Sequence, residues 1–182
     1  MAPLSGYTLA MPDKLQNELR DEVDRLVESW RRERPDLDVA PMQVLSRVTR
    51  LSRHLDRARR QVFAEHHLEL WEFDVLTALR RSGPPYLLSP GQLIRETLVT
   101  SGTMTNRVDR LITKGFVTRE PDPDDRRGVL VRLTGSGRQA VDEAMDGLLA
   151  RERDLLDGLQ EAEQRRLAGL LRTVVAPFDQ TP

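Results

Sequence analysis

The chain has 182 residues and a formal net charge of −1; 31% of its residues are charged and only 4% are aromatic. This length predicts one compact domain, or one domain with an appendage, and the absence of cysteine excludes disulfides, Cys-ligated zinc sites and thiol nucleophiles. The apolar runs are too short to cross a bilayer and the N-terminus does not resemble a signal peptide, so we expect a cytoplasmic protein. Because acidic and basic residues nearly cancel, any contact with nucleic acid must come from local clusters of charge.

Two amphipathic helices are predicted in the first third of the chain. Residues 12–33 carry apolar side chains at helical spacing, namely Leu15, Leu19, Val23, Leu26, Val27 and Trp30. Pro35 and Pro41 are expected to end this helix and to form a short linker. Over residues 42–66 an apolar stripe recurs in steps of four and three residues, at Val44, Val48, Leu51, Leu55, Ala58 and Val62. This spacing predicts a long helix that faces a partner helix.

Two shorter helices are predicted next. Residues 70–81 form the first, and the sequence SGPP closes it. The second spans residues 89–97, where Ser89 can cap the helix and Pro90 suits the first turn. Gln92 completes a capping box with Ser89.

A further helix and a β-hairpin follow. Ser101 is expected to open the helix and Gly115 to end it. Residues 116–120 and 128–134 are β-prone, and apolar residues alternate along the second run as in a half-buried strand. The segment PDPDDRR between them is too rich in proline for a strand, and it is expected to form the hairpin loop.

Two leucine-rich amphipathic helices, over 136–160 and 162–176, complete the prediction. The expected fold is mainly α with a small β-hairpin wing, that is, a winged helix-turn-helix.

The order of two helices and a hairpin places one helix in the major groove of DNA, with its N-terminal residues toward the base edges. Residues 101–115 carry three cations and one anion, a local charge of +2. Small hydroxyl side chains allow a close approach to the duplex, while Asn and Arg can make bidentate contacts with base edges. The residues expected to contact DNA from the two helices are Ser89, Gln92, Ser101, Thr103, Thr105, Asn106, Arg107 and Arg110. The alternative is an ordinary capped helix without a DNA-binding role.

The hairpin loop adds a second cluster of arginines. Arg126 and Arg127 are expected to enter a narrow minor groove, which attracts arginine. Asp124 and Asp125 would be unfavourable beside phosphates unless they hold the neighbouring guanidinium groups in a fixed direction, and Asp125 is counted with the DNA-binding set. The alternative for this segment is a solvated turn.

These motifs together resemble the MarR family of bacterial transcription regulators, over about residues 42–176. The matching segments are SPGQL, SGTMTNRVDRLITKGFV, DPDDRRGVLVRLT and TGSGR. The resemblance implies a ligand-responsive regulator, expected to be a repressor, that binds a palindromic operator as a homodimer. It also implies a helical dimerisation region beside the winged lobe. The organisation expected from it is an N-terminal extension with an extra helix over 1–41, a dimerisation helix over 42–66, a winged DNA-binding lobe over 67–134 and dimerisation helices over 135–182. It implies no cofactor and no metal.

A finer resemblance points to the urate-responsive branch of that family. It rests on Trp30 in ESW, Asp74 in FDVLTALRRSGPP, Arg107 in SGTMTNR and Arg119 in KGFVTRE. The branch implies a pocket in which an anionic purine stacks near Trp30, is held by Arg107 and disturbs an ion pair between Asp74 and Arg119. A phenolic or other aromatic acid is the alternative ligand. Each residue also has a simpler interpretation. Trp30 would only pack the extra helix onto the body, and Asp74 would be favoured by the dipole at a helix start. Arg119 would contact phosphate, and Arg107 would read a base without meeting a ligand.

Two other classes of function, an enzyme and a helical scaffold, have less support in the sequence. An enzyme would need a catalytic constellation, but no glycine-rich phosphate loop or Ser/His/Asp arrangement is present. Of the histidines His54, His66 and His67, the adjacent pair points to different helix faces, so a shared metal site is not expected. A helical scaffold that does not bind DNA would have no use for the arginines of the hairpin loop. Salt-dependent binding of duplex DNA separates these classes.

Overall fold

The computed structural model describes residues 20–125 and 128–179. The described part consists of helices and one small three-stranded antiparallel sheet, which confirms the predicted fold class. The chain divides into two compact units, Met1–His54 and Leu55–Pro182. The boundary falls within one long helix.

The N-terminal unit contains helix α1, Glu22–Glu33, and the beginning of helix α2, Ala40–Glu65. The helix predicted over 12–33 begins later in the described residues, because Asp21 is its N-cap and accepts hydrogen bonds from the backbone N–H groups of Val23 and Asp24. Residues 12–19 lie outside the described part of the chain. A small core of Val23, Val27 and Val39 holds the unit together.

Ion pairs join α1 to α2 within this unit. The Arg47 guanidinium bonds Asp21 at 2.9 and 3.0 Å and Asp24 at 2.8 Å. The pKa of Asp24 lies below its ordinary value, first because the backbone N–H of Asp21 bonds the carboxylate and then because Arg47 does. Pro41, predicted to lie in a linker, is instead in the first turn of α2, where its missing N–H is not needed.

The larger unit holds the rest of α2 and the remaining elements. Its helices are α3 (Leu70–Arg81), α4 (Pro90–Thr97), α5 (Ser101–Thr113), α6 (Gly135–Leu156) and α7 (Glu161–Asp179), and its strands are β1 (Leu87–Leu88), β2 (Val117–Pro121) and β3 (Val129–Leu133). One apolar core lies between them, and its fully buried side chains include Phe63, Leu76, Leu79, Leu93, Met104 and Leu111. This core fixes α4, α5 and the hairpin relative to α3.

The sheet has the order β1-β3-β2. Strands β2 and β3 form the predicted hairpin, with Val117 opposite Leu133 and Pro121 opposite Val129. Strand β1 pairs with the other edge of β3 and was not predicted, because two residues are too few to show a period of two. Gly115 ends the preceding helix at φ +75°, a conformation that glycine adopts without strain.

The last two helices differ in burial. Helix α6 packs on α3 through Val141, Ala144 and Leu148, and Arg80 of α3 pairs with Asp142 at 2.7 Å. None of the side chains described for α7 is buried. Its exposed large apolar residues are Leu170, Leu171, Val174, Val175 and Phe178.

Candidate nucleic-acid interface

Helix α4 begins with the predicted capping box. The Ser89 hydroxyl accepts a hydrogen bond from the backbone N–H of Gln92 at 3.3 Å, and the Gln92 side chain accepts one from the backbone N–H of Ser89 at 2.7 Å. Both predicted DNA contacts therefore also stabilise the start of α4.

Helix α5 has one buried and one exposed face. Met104, Val108 and Leu111 pack into the core. Ser101 is the first helical residue, as predicted, but Thr100 is the N-cap, because its hydroxyl accepts from the backbone N–H of Thr103. The exposed side chains include those of Ser101, Thr103, Thr105, Asn106 and Arg110, and Arg107 is half-buried. The structure thus brings the predicted base-reading residues to one surface.

A surface recess of about 420 Å³ lies on this face. It is lined by Trp71, Gly102, Thr103, Asn106, Arg107 and Arg110, and we call it the α5 recess. Trp71 comes from the start of α3, and it was not among the predicted site residues. Nothing in the local sequence around Trp71 indicates this position, since its neighbours in the recess are more than 30 residues away along the chain.

Trp71 and Glu69 hold the arginines of the recess. The Arg110 guanidinium carbon lies 4.7 Å from the centre of the Trp71 ring, and that of Arg107 lies 5.5 Å from it. Arg110 also donates a hydrogen bond of 2.5 Å to Glu69, and the Trp71 indole N–H donates one of 2.6 Å to the same carboxylate. The indole N–H is the main cause, and Arg110 a further one, of a pKa of Glu69 below its ordinary value.

The far end of α5 is anchored by a buried carboxylate. Glu72 is fully buried, and one of its oxygens accepts from the Lys114 ammonium at 2.7 Å and from the backbone N–H of Glu69 at 2.9 Å. Lys114 also bonds the carbonyl oxygen of His67 at 3.3 Å. The orientation of α5 is therefore set by charged contacts to the start of α3 as well as by the core.

The hairpin is stiffened by an ion pair across its strands. Arg132 donates a hydrogen bond of 2.7 Å to Glu120 and another of 3.0 Å to the carbonyl oxygen of Pro85. The Arg132 guanidinium holds the pKa of Glu120 below its ordinary value.

The loop of the hairpin closes on Gly128. Its N–H donates to the carbonyl oxygen of Asp125 at 2.8 Å, and its own carbonyl accepts from Asp122 at 3.0 Å. A Cβ atom at this position would lie 2.7 Å from Cβ of Asp122, so only glycine fits without a shift. Arg126 and Arg127 are outside the described residues. Their contacts with DNA therefore stay predictions, and so does the orientation of these arginines by Asp124 and Asp125.

The predicted ion pair between Asp74 and Arg119 is wrong. Arg119 pairs with Asp109 of α5 at 2.6 Å, and among the described side chains no ion pair joins it to Asp74. Strand β2 packs beside α5, so the carboxylate nearest to Arg119 comes from that helix rather than from α3.

Asp74 has other neighbours. It lines a surface cavity of about 330 Å³ with Thr77, Arg81 and Leu98 among others. Partial burial raises the pKa of Asp74 above its ordinary value, and the positive charges of Arg107 and Arg59 oppose this shift. No ion pair joins Asp74 to Arg107 among the described side chains, so this interaction of their charges acts without direct contact. Trp30 belongs to the N-terminal unit and is 42% exposed.

Comparison with known proteins identifies the family. A family model described as the MarR family matches residues 67–128. The HTH-type transcriptional regulator PecS of Dickeya dadantii is 40% identical over 153 residues, which cover 84% of this chain and 92% of PecS. The chain belongs to the MarR family. Like these relatives, it is a DNA-binding transcriptional regulator and not an enzyme.

Solved structures of MarR-family proteins have the same winged-helix fold. The structure of a mutant Escherichia coli MarR complexed with operator DNA is 27% identical in sequence and has a TM-score of 0.61. The match covers 76% of this chain and 99% of the MarR chain. The structure of a multiple antibiotic resistance repressor, MarR, is likewise 27% identical, with a TM-score of 0.61 over 72% of this chain and 94% of the repressor chain. Bordetella bronchiseptica BpsR, whose DNA binding is regulated by 6-hydroxynicotinic acid, is 28% identical, covers 76% of this chain and 96% of its own, and has a TM-score of 0.61.

Two features are absent from the part of the chain that the structure describes. No helix there combines the length and the apolar character needed to cross a membrane. No cluster of three or more acidic or histidine side chains there could hold a metal ion.

Proposed function

We propose that this MarR-family regulator acts as a cytoplasmic repressor that binds a palindromic operator as a homodimer and is released by a small anionic aromatic ligand. The observation that carries this proposal is the exposed face of α5, where hydroxyl, amide and guanidinium groups meet on one surface. These groups match the donors and acceptors of base edges in the major groove.

DNA recognition is assigned to two parts of the lobe. In α5, Thr103, Asn106, Arg107 and Arg110 would face base edges, while Ser101 and Thr105 would allow a close approach. Ser89 and Gln92 at the start of α4 would contact the phosphate backbone. In the hairpin loop, Asp125, Arg126 and Arg127 would act at the adjacent minor groove.

The homodimer is supported by apolar surface that the single chain leaves exposed. On α7 the exposed fractions are 58% for Leu170 and 76% for Phe178, and Leu149 and Leu155 of α6 are also exposed. In α2 the predicted stripe is exposed at Val44, Val48 and Leu51. Such surface is stable in water when a second copy covers it. A two-fold dimer then reads two half-sites of a palindrome, which lie about one helical turn of DNA apart.

The ligand response is assigned to Asp74 and Arg107. An anion drawn to Arg107 would meet the negative charge of Asp74, and so its binding would favour an arrangement in which these two groups are further apart. Arg107 also belongs to the DNA-facing surface, so one side chain would serve both processes. Arg119 and Trp30 remain in the predicted ligand set.

Urate is the ligand we propose first, on the resemblance of the residues around Trp30, Asp74, Arg107 and Arg119 to the urate-responsive branch. A phenolic or other aromatic acid is the second candidate. The effect of 6-hydroxynicotinic acid on BpsR favours an aromatic acid within this family.

The test is a gel-shift titration of the purified protein on DNA from the region upstream of its own gene. One operator-bound dimer is expected, with affinity that falls steeply as salt rises, and random duplex of equal length should bind far more weakly. Equal affinity for both duplexes would contradict a role in operator recognition. Separate titrations with urate, xanthine, 6-hydroxynicotinic acid and a phenolic acid then test release. Release by none of them would leave the DNA-binding part standing and reject the proposed ligand class.

A further inference from the structure

Trp71 is an aromatic side chain on a surface that otherwise consists of DNA-facing polar groups. It lies in the α5 recess with Thr103 and Asn106, and the guanidinium groups of Arg107 and Arg110 lie over its ring. The ring is itself held, because its N–H donates to Glu69 at 2.6 Å. Trp71 therefore lies in contact with the arginines of α5 without belonging to that helix.

We propose that Trp71, held by Glu69, is a positioning residue for base recognition, which orients Arg107 and Arg110 before DNA arrives. This inference rests on the proposed use of α5 as the base-reading helix. On this basis, a residue of α3 determines how well α5 discriminates between bases.

The chemistry of the guanidinium group supports this role. Arginine binds a guanine edge through two N–H groups in the plane of the guanidinium, so an aromatic ring beneath that plane leaves these donors available. The Arg110 side chain donates to Glu69 through one nitrogen and makes no other hydrogen bond among the described residues, so its remaining N–H groups stay available as donors.

Orientation affects specific and non-specific binding differently. A long arginine side chain that is ordered only in the complex loses conformational freedom when it binds, and this loss weakens binding. A bidentate base contact requires one geometry, whereas a phosphate can be met from many directions. Trp71 should therefore strengthen operator binding more than it strengthens binding to random DNA.

The experiment compares Trp71→Leu and Trp71→Phe with the wild-type protein. Dissociation constants for operator and random duplex are measured by fluorescence anisotropy over a range of salt concentrations. We expect Trp71→Leu to lower the ratio of the two affinities about five- to tenfold, because two cation–π contacts are lost. Its affinity for random DNA and the salt slope should change little, since the number of phosphate contacts is the same. Trp71→Phe should retain most of the ratio, because an aromatic ring remains beside the two arginines.

Glu69→Gln provides a second test that keeps the ring in place. The variant loses the charge that holds Arg110 and also loses a negative charge close to DNA. We expect stronger binding to random duplex together with a lower ratio of operator to random affinity. If Trp71→Leu fails to fold, as judged by circular dichroism, the positioning role is tested with Glu69→Gln and Trp71→Phe instead.

Asn106→Ala separates the possible failures. If Asn106→Ala lowers the ratio while Trp71→Leu and Glu69→Gln leave it unchanged, the positioning role is rejected and base reading by α5 stands. If none of the three lowers the ratio, base reading by α5 is rejected as well. An equal loss of affinity for both duplexes in Trp71→Leu would show a purely structural role and would also overturn the inference.

Discussion

The exposed faces of α5 and α7 differ in whether their side chains have interaction partners within the same chain. On α5, Arg110 has partners in Glu69 and Trp71, and Lys114 just beyond the helix end has one in Glu72. On α7, by contrast, Leu170 and Phe178 are mostly exposed. A polar face with ordered groups suits a polar partner such as DNA, whereas an apolar face needs another apolar surface. Mutations on the face of α5 should therefore leave the dimer intact, whereas mutations on the face of α7 should break it.

The largest effect is expected from breaking the face of α7. Leu170→Glu combined with Val174→Glu should produce a monomer at micromolar concentration and abolish operator binding, because burial of each apolar side chain contributes about 1.5–3 kcal/mol and the new charges oppose burial. Light scattering gives the mass. Arg172→Glu, which puts a carboxylate on the other side of the helix, should remain dimeric. A dimeric double variant would show that α7 is not the interface.

The loop of the hairpin should contribute to DNA affinity without affecting assembly. Arg127→Ala should weaken operator binding by about 1–3 kcal/mol and lower the salt slope by about one, since one arginine contact is lost. The measurement is a set of anisotropy titrations at several salt concentrations, and light scattering should still give a dimer. Unchanged operator affinity at physiological salt would remove the loop from the interface.

The exposed face of α5 should contribute discrimination more than affinity. Asn106→Ala should weaken operator binding by about 1–2 kcal/mol, because a bidentate contact to adenine is lost, and should leave binding to random DNA almost unchanged. Competition of labelled operator with random duplex measures the difference. An equal loss on both would mean that Asn106 only contacts the DNA backbone.

The ligand response should change without a loss of DNA binding. Asp74→Asn removes the negative charge that interacts with Arg107, so the free energies of ligand binding to the two arrangements should differ less. Release should then need a roughly threefold higher concentration of urate or aromatic acid. Gel shift measures release and fluorescence quenching measures ligand affinity. Trp30→Ala should instead weaken ligand affinity itself. If Asp74→Asn releases DNA at the same ligand concentration as the wild-type protein, the charge mechanism is rejected.

The smallest effect is expected from the ion pair between α5 and the hairpin. Asp109→Asn should lower the free energy of unfolding by about 0.2–1 kcal/mol, because both side chains of the Asp109–Arg119 pair are substantially exposed. Urea unfolding at low and high salt measures it, and the difference from wild type should shrink as salt rises. A loss well above this range would show that the pair fixes the hairpin on α5.

Local sequence was sufficient for most of the helices and strands and for the exposed face of α5. The capping box of Ser89 and Gln92, the stop at Gly115 and the alternation along β3 involve residues a few positions apart, so the pattern specifies the conformation directly. The exposed face of α5 follows from the same logic, because Met104, Val108 and Leu111 occupy the opposite side at helical spacing.

The tertiary structure decided which charges and rings meet. From the sequence, Arg119 had several carboxylates as potential partners, and packing of β2 beside α5 selected Asp109 over Asp74. The contact of Trp71 with Arg107 and Arg110 joins residues more than 30 positions apart, and so does the pairing of β1 with β3. Ion pairs and ring contacts act over a few ångströms, so their partners depend on how the helices and strands pack, which no local period encodes.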